Sequence, residues 1–486
     1  MKTILHTMIL IPFLVILSTS GFSQTWTKTY GTSNDEEGNV VQQTFDGGYI
    51  ITGRTFPTNS WDYDLYLVRT DNNGDTLWTK TYGGTGNQTG VDVKQTTDNG
   101  FIISGDFLSL ESGNFDVWLL KTDSNGDTLW TNTFGGSFND YGSSVFQTDD
   151  GGYVIIGSTE SYGAGGSDFW IVKTDVSGDS LWSKTYGGSY HDIAFEAQAT
   201  SDGGYIIVGY TQLQGFLNSD VWLVKLFSNG EVDWTQTYGG DQDELAYSVN
   251  ETADAGYILS GYTNSFGSGY EDVYLIKTDI YGDSMWTKTF GGLSNDAGNS
   301  VIETAEGDFL VCGNTFSFSE DGDMDLWLIK TDISGYPLWT KMYGGGGDEL
   351  GYSVIESFDG RLTACGFTTT YGAGERDVWL LHLEADGQMS IDETINPTSS
   401  NFDLKQNYPN PFVGSTTIEY FIPTSGIVLL KIYDLTGRLM NTLVNEQEPA
   451  GRHSIQFEEN ELEAGIYYYR LQSGNFDSAK KFILSK

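Results

Sequence analysis

A tryptophan returns through this chain at an almost fixed step. Trp26, Trp78, Trp130, Trp182, Trp234, Trp286 and Trp339 each open a W-[ST]-x-[TM]-[YF]-G unit, 52 residues apart with one step of 53. A second series, Asp64, Asp116, Asp168, Asp220, Asp272, Asp325 and Asp377, keeps the same step. Each of these Asp residues stands two positions before an aromatic, from Tyr66 and Trp118 through to Trp379. A period near 50, built from several short strand-like runs, is the sequence mark of a propeller.

Each unit carries four runs rich in β-branched and aromatic residues. In the third unit they are SSVFQT, GYVIIGST, DFWIVKTD and SLWSKTYG, here called strands A to D. Asp149 to Gly152 (DDGG) forms a tight A–B turn. Asp175 to Asp179 (DVSGD) forms a C–D turn in which Gly178 supplies a positive φ. Along strand C, Trp170 faces one side and Phe169 and Ile171 the other, so both faces of a sheet suit burial between neighbours. The ends of the repeat region are complementary. It begins with a D strand, TWTKTYG, that has no C strand before it, and ends with a C strand, DVWLLHLEADGQ, that has no D strand after it. The first fragment is therefore expected to complete the last blade. The expected fold class is all-β: a seven-bladed β-propeller of 52-residue repeats over 24–390, its ring closed by an N-terminal outer strand, followed by a small β-sandwich. A solenoid has no need of complementary ends, and tandem sandwich domains need about 100 residues each. The repeats resemble those of exported bacterial propellers. Their Gly-Gly before strand B and later Trp are loosely similar to kelch, and a WD dipeptide is not a regular feature.

The first 23 residues read as a signal peptide. Lys2 gives the positive end, Ile4 to Leu17 the apolar run, and Gly21-Phe22-Ser23 small residues at the two positions read before a cut ahead of Gln24. The apolar run is too short for a bilayer span, and no later segment is apolar enough. The formal net charge of -42 argues against a nucleic-acid partner, which needs clustered Lys and Arg. Cys312 and Cys365 occupy the same place in successive repeats. That puts them beyond the roughly 7 Å reach of a disulfide, so both are expected to be small buried residues.

After Met389 the repeat stops, and 391–401 reads as a polar linker. Residues 402–486 carry, in order, Asn407-Tyr408-Pro409-Asn410-Pro411-Phe412, Tyr433-Asp434-Leu435-Thr436-Gly437-Arg438, Gly465-Ile466-Tyr467 and a Lys-rich terminal strand. These motifs resemble the C-terminal sorting domain of type IX secretion. The resemblance implies a small β-sandwich read by the outer-membrane export machinery, which makes that machinery a partner and places the cargo outside the cell or on its surface. The residues themselves read as about seven short strands separated by turn signals.

Candidate chemistry is sparse. The D–A and B–C connections share one face and vary most, so a ligand face is expected there. The repeated Asp series suits the capping of local backbone N–H groups better than a ring of cation ligands. A second polar pair in the D–A loop, from Asp35-Glu36 to Asp348-Glu349, recurs in every blade and is read as architecture. Departures from the repeat are more telling. In the sixth blade Asp321, Asp323 and Asp325 alternate beside a Gly, the oxygen-rich pattern of a Ca²⁺ loop without the full ligand set of an EF-hand. In the first blade Trp61 and Asp62 precede Asp64, and an exposed Trp can stack on a sugar. Phe216 and Tyr270 sit in the equivalent loops of later blades. Thr76, Thr128, Ser180 and Ser284 each follow an Asp and precede an apolar residue. That is similar to the O-glycosylation acceptor of bacteria that export proteins by this route, although turn chemistry gives the same pattern.

No His/Cys group has zinc spacing and no Ser-His-Asp set can be argued, so no catalytic residue and no firm cofactor is assigned. The expected function is a secreted or surface-attached binding module for a glycan or protein. The alternatives are an extracellular glycan hydrolase or lyase, and a structural adhesion component without a discrete pocket.

Overall fold

The computed structural model describes residues 25–57, 62–212, 218–319, 322–389 and, with short gaps, 403–484. The signal segment, the 391–401 linker, Trp61, Phe216 and Asp321 lie outside the described residues. The described residues form strands and turns without a helix. The chain divides into two compact units, Met1–Ile391 and Asp392–Lys486.

The first unit holds seven four-stranded antiparallel sheets. Six are continuous in sequence, spanning 35–82, 88–134, 140–186, 192–238, 244–290 and 296–343. In the seventh, Glu349–Glu356, Leu362–Thr368 and Asp377–Leu383 supply strands A to C, and Trp26–Tyr30 is hydrogen-bonded beside Asp377–Leu383 as the fourth strand. Its register pairs Trp26 with His382 and Tyr30 with Val378. This is where the lone D strand and the lone C strand of the sequence meet.

Burial grades across each blade. In the third, strands Tyr153–Thr159 and Asp168–Thr174 are buried throughout, whereas Ser180–Tyr186 is exposed or half-buried. The cores lie between successive sheets. Ile102, Val117 and Leu119 of blade 2 pack with Val145, Tyr153, Ile155 and Trp170 of blade 3. Likewise Val41, Tyr49 and Ile51 of blade 1 pack with Cys365, Val378 and Leu380 of blade 7. Each such side chain contributes about 1.5–3 kcal/mol by leaving water. Both cysteines are free and buried, and burial pushes their thiols up.

The repeated Trp explains a repeated Gly. Gly282 in a C–D turn has φ +78, and a Cβ there would lie 2.5 Å from the ring of Trp234 in the preceding blade. The same Trp meets Tyr257 at a centroid distance of 5.8 Å. A neighbouring latch runs from the Tyr238 hydroxyl to the Gly282 carbonyl oxygen at 2.5 Å.

In every strand A the pairing with strand B shifts by one residue at the same place, for example between Gly142 and Ser144 or Ala194 and Glu196. Such a bulge leaves one residue out of the ladder and re-aims its side chain. That residue is Asn39, Val91, Ser143, Phe195, Tyr247, Asn299 or Tyr352, and all seven border one cavity.

The second unit contains a three-stranded and a four-stranded sheet. They share one core that includes Phe412, Ile418, Leu430, Tyr469 and Phe482. Its asparagine motif is structural. The Asn407 amide donates to the Tyr469 hydroxyl at 2.8 Å, and Asn410 Oδ1 accepts from the Ile483 amide at 2.8 Å.

Candidate functional site: the central cavity

The polar residues that repeat are occupied by the backbone. Asp168 Oδ2 accepts from the Ala164 amide at 2.8 Å, and Asp377 Oδ2 from the Ala373 and Gly374 amides at 2.8 and 2.9 Å. In the D–A series, fully buried Glu244 accepts from the Gly240 and Ser265 amides at 2.6 and 3.0 Å and from the Thr263 hydroxyl at 2.6 Å. At the opposite end, strand C presents a buried cation to the A–B turn. Lys173 meets Asp150 at 2.9 Å, and Lys225 meets Asp202 at 2.8 Å. The Thr148 hydroxyl and Lys173 hold Asp150 at about 2. In blade 7 His382 takes the cation's place. It lies 2.9 Å from the Thr363 hydroxyl and 3.3 Å from that of Tyr49, and burial lowers its pKa.

Strand A residues of all seven blades border a cavity of about 760 Å³. Its wall has its own repeat. The residue after each bulge is most often Ser, and its hydroxyl accepts from an amide of the next blade: Ser144 from Ala197 at 3.0 Å, Ser248 from Val301 at 3.0 Å. Two blades depart by substituting carboxylates. Asp92 accepts from the Val145 amide at 3.0 Å, and Glu196 from the Val249 amide at 2.8 Å. Lys94 reaches Asp92 at 2.8 Å. Burial pulls the Lys94 pKa down, but the Asp92 carboxylate outweighs it and the net shift is upward. Desolvation pushes Glu196 up to about 7, against bonds from Ser248 and Val249 and the attraction of Lys94. Asp106, which accepts from the Gly142 amide at 2.9 Å, is likewise pushed up to about 7 by burial.

One end of the cavity is aromatic on blades 4 and 5. Phe195 contacts Tyr247 at 4.9 Å and Tyr210 at 5.9 Å between centroids, and Tyr247 contacts Tyr262 at 5.9 Å. Glu271 joins them in the lining, its carboxyl raised by burial. By the repeat, Arg54 of blade 1 stands where Tyr210 and Tyr262 stand, and Arg376 of blade 7 stands where Glu271 stands. By that register these arginines stand at the same end of their strands; neither borders the cavity itself, and Arg376 reaches its wall through Phe367, which packs on the lining residue Tyr352. Buried Glu37 binds both: Arg54 Nε and a terminal nitrogen lie 2.8 and 2.6 Å from Glu37 Oε2, and Arg376 pairs with Glu37 Oε1.

The loop residues singled out in the sequence are placed elsewhere. Asp62 accepts from the Gly86 amide at 3.3 Å, and Tyr270 is exposed in its loop. Neither borders the cavity. Asp323 accepts from the Ser319 hydroxyl at 2.6 Å, and Asp325 begins a strand C. Among the described residues no group of three or more His, Cys, Asp or Glu is arranged to hold a metal ion. Thr76, Thr128, Ser180 and Ser284 each open an outer strand D at an exposed position. Loop reasoning passed over Phe195, Glu196, Tyr247 and Tyr262. The signal was there: the residue after the Gly or Ala of strand A runs Asn, Val, Ser, Phe, Tyr, Asn, Tyr while its surroundings barely change.

The fold and cavity define an all-β protein of seven propeller-type blades with a separate C-terminal unit. Residues 406–485 match the family described as the secretion system C-terminal sorting domain. The tail is a type IX sorting domain, and it directs the chain to export and the cell surface. Among solved structures the chain is similar to PorZ, an essential bacterial surface component of the type IX secretion system of Porphyromonas gingivalis. That likeness has 10% identity and a TM-score of 0.43, and covers 90% of this chain and 58% of PorZ. It is also similar to a puromycin hydrolase, with 12% identity over 80% of this chain and 59% of the hydrolase at a TM-score of 0.50. The WD40 domain of Neurospora crassa Pan2 is similar at 9% identity over 76% of this chain and 98% of that one, with a TM-score of 0.46. The chain spans less than two thirds of the length of the first two. At such identities the likeness to the hydrolase is one of fold. No curated protein matches the chain. Among the described residues no helix is long and apolar enough to cross a membrane.

Proposed function

We propose that this protein is a binding module displayed at the cell surface: a seven-bladed ring closed by its N-terminal outer strand, followed by a β-sandwich tail, with a glycan as the first-choice ligand. The observation that carries this reading is convergence. The side chains that break the repeat most strongly, Phe195, Tyr247, Tyr262 and Glu271, border one cavity, which supplies the apolar faces and few polar groups of a sugar site. A protein partner inserting a side chain into the same end is the other form of this reading.

The test uses the full exported protein on a panel of extracellular glycans, with Ca²⁺ and with chelator. Tyr247→Ala is expected to weaken binding roughly tenfold, the worth of a lost stacking surface, and to cost about 1–2 kcal/mol of stability through its lost contacts with Phe195 and Tyr262. Binding lost in chelator would implicate the Asp321, Asp323 and Asp325 loop as a Ca²⁺ site. Binding untouched by Tyr247→Ala would remove the cavity from consideration and return attention to Trp61, Asp62, Phe216 and Tyr270. Thr76, Thr128, Ser180 and Ser284 are proposed O-glycan acceptors, and intact mass of the secreted protein tests them.

One observation favours a second reading, an extracellular glycan hydrolase or lyase. Asp106 and Glu196, pushed to about 7, have the proton affinity a general acid needs at neutral pH. Turnover of a bound glycan that Glu196→Gln or Asp106→Asn abolishes would replace the binding role by catalysis.

A further inference from the structure

The cations of the first unit fall into groups, and one group is unexplained by architecture. Strand C cations such as Lys173 and Lys225 are tied to turn carboxylates. Lys28, Lys80 and Lys184 lie on outer strands and pair with carboxylates of the next blade's turn. Arg54 and Arg376 belong to neither pattern. They come from blades 1 and 7 and converge on a single carboxylate, Glu37, which is 2% exposed. One negative charge is shared by two guanidinium groups, so the cluster keeps a net positive charge in a chain of formal net charge -42.

The cluster is held in place and still open. Arg54 lies over the rings of Phe56 and Tyr63, 5.3 and 5.2 Å from their centroids, and Arg376 over Phe367 at 4.9 Å. Phe367 in turn contacts Tyr352, which borders the cavity, at 6.1 Å. The side chains of Arg54 and Arg376 nevertheless remain 32% and 45% exposed. A guanidinium has five N–H donors in a planar fork, and Glu37 has only two oxygens to receive from both residues. Preorganised arginine donors facing solvent are the usual recognition element for a planar or tetrahedral oxyanion. Asp62 and Asp64 flank Tyr63 in the chain, and the Asp106 carboxyl, which also acts on Tyr63, is pushed up to about 7 by burial.

We propose that Arg54 and Arg376 form an anion-reading subsite at the aromatic end of the cavity, and that the ligand is an acidic saccharide bearing carboxylate or sulfate groups. This rests on the glycan reading above and narrows it. The sugar faces lie on the Phe195, Tyr247 and Tyr262 side, and the anionic substituent lies on the arginines of blades 7 and 1. Glu37 is a positioning residue that fixes the two forks.

The experiment measures binding of the full exported protein, in chelator, to a polygalacturonate oligosaccharide, its carboxyl-reduced neutral counterpart and a sulfated saccharide. The wild type is expected to prefer an anionic saccharide over the neutral one by about tenfold or more, the worth of a charged hydrogen-bonded contact. The uronate and sulfate arms separate the two sources of the anion. Arg376→Gln is expected to erase that preference and leave neutral binding unchanged, while Lys184→Gln on an outer strand changes neither. Should Arg376→Gln fail to fold, the wild type carries the test alone, because its affinity for the anionic probe must fall as salt rises. Equal affinity for neutral and anionic probes, or an anion preference that survives Arg376→Gln, overturns the subsite while the glycan module stands. Binding of no saccharide, with capture of an acidic peptide instead, overturns both.

Discussion

The C–D turn end of the blades and the wall of the central cavity are built from the same 52-residue repeat, yet they treat it differently. At the turns the pattern is kept almost blade by blade. Trp234 on Gly282 recurs as Trp286 on Gly335, and Lys173 with Asp150 recurs as Lys277 with Asp254. Along the inner strands the backbone keeps its bulge in every blade, but the side chain it presents changes from Asn to Phe to Tyr. The difference teaches which positions serve blade-to-blade packing and which are free of it. A residue that latches one blade to the next is constrained by geometry repeated from blade to blade. A residue aimed at the cavity is released from that constraint and is held only by its neighbours on the wall.

The comparison breaks most readily at a buried carboxylate of the repeat. Glu244→Ala removes the acceptor of two loop amides and of the buried Thr263 hydroxyl, and is expected to cost about 2–3 kcal/mol. Chemical denaturation would register that loss, and an unchanged midpoint would mean the D–A carboxylates are not the architecture claimed for them. Next comes Gly282→Ala. It forces a Cβ into a left-handed turn and against the Trp234 ring, for roughly 2 kcal/mol.

The third test sets the two regions against each other by pH. Glu196 titrates near 7 in the fold against an ordinary 4.5. The native state therefore holds a proton that the unfolded chain releases, and stability falls as pH rises from about 4.5 to 7, then levels off. Asp150, held at about 2, has the opposite sign: its contribution is present above its ordinary value of 3.8 and is lost as pH falls toward 2. Glu196→Gln should flatten the first slope in part, since Asp106 shares it, and leave the acid limb alone. Thermal unfolding between pH 2 and 8 would show it, and an unaltered slope above pH 4.5 would place the Glu196 carboxyl in water. The smallest effect is expected at Lys184→Gln. Its ion pair with exposed Glu231 spans the outer edge, and surface pairs of this kind contribute about 0.5 kcal/mol or less.

Much of this molecule was legible in its residues. The Trp and Asp periods located the blades, and the alternation along DFWIVKTD gave a strand buried on both faces, as Asp168–Thr174 is. The unmatched ends TWTKTYG and DVWLLHLEADGQ anticipated that Trp26–Tyr30 pairs with Asp377–Leu383. The reading of the repeated Asp as backbone caps agrees with the bonds that Asp168 and Asp377 accept. The tail motifs pointed to the sorting domain that residues 406–485 match. The candidate site was far less legible. Attention went to loops because loops vary, whereas the variation that reaches the cavity lies inside strand A, at a residue a bulge turns inward.

What the sequence determined by itself was local and periodic: strand, turn, strand, repeated until the chain could meet its own beginning, with an export tail after it. Alternation and turn chemistry act over a few residues, so they can be read without knowing the neighbours. Only the tertiary structure decided that Phe195 meets Tyr247 edge to face, that Glu196 accepts from Val249 of the next blade, and that Glu37 gathers Arg54 from its own blade and Arg376 from another more than 300 residues on. Each of those contacts reaches into another blade, and its partners are chosen by where the bulges aim and by how strongly burial raises the cost of an unpaired charge.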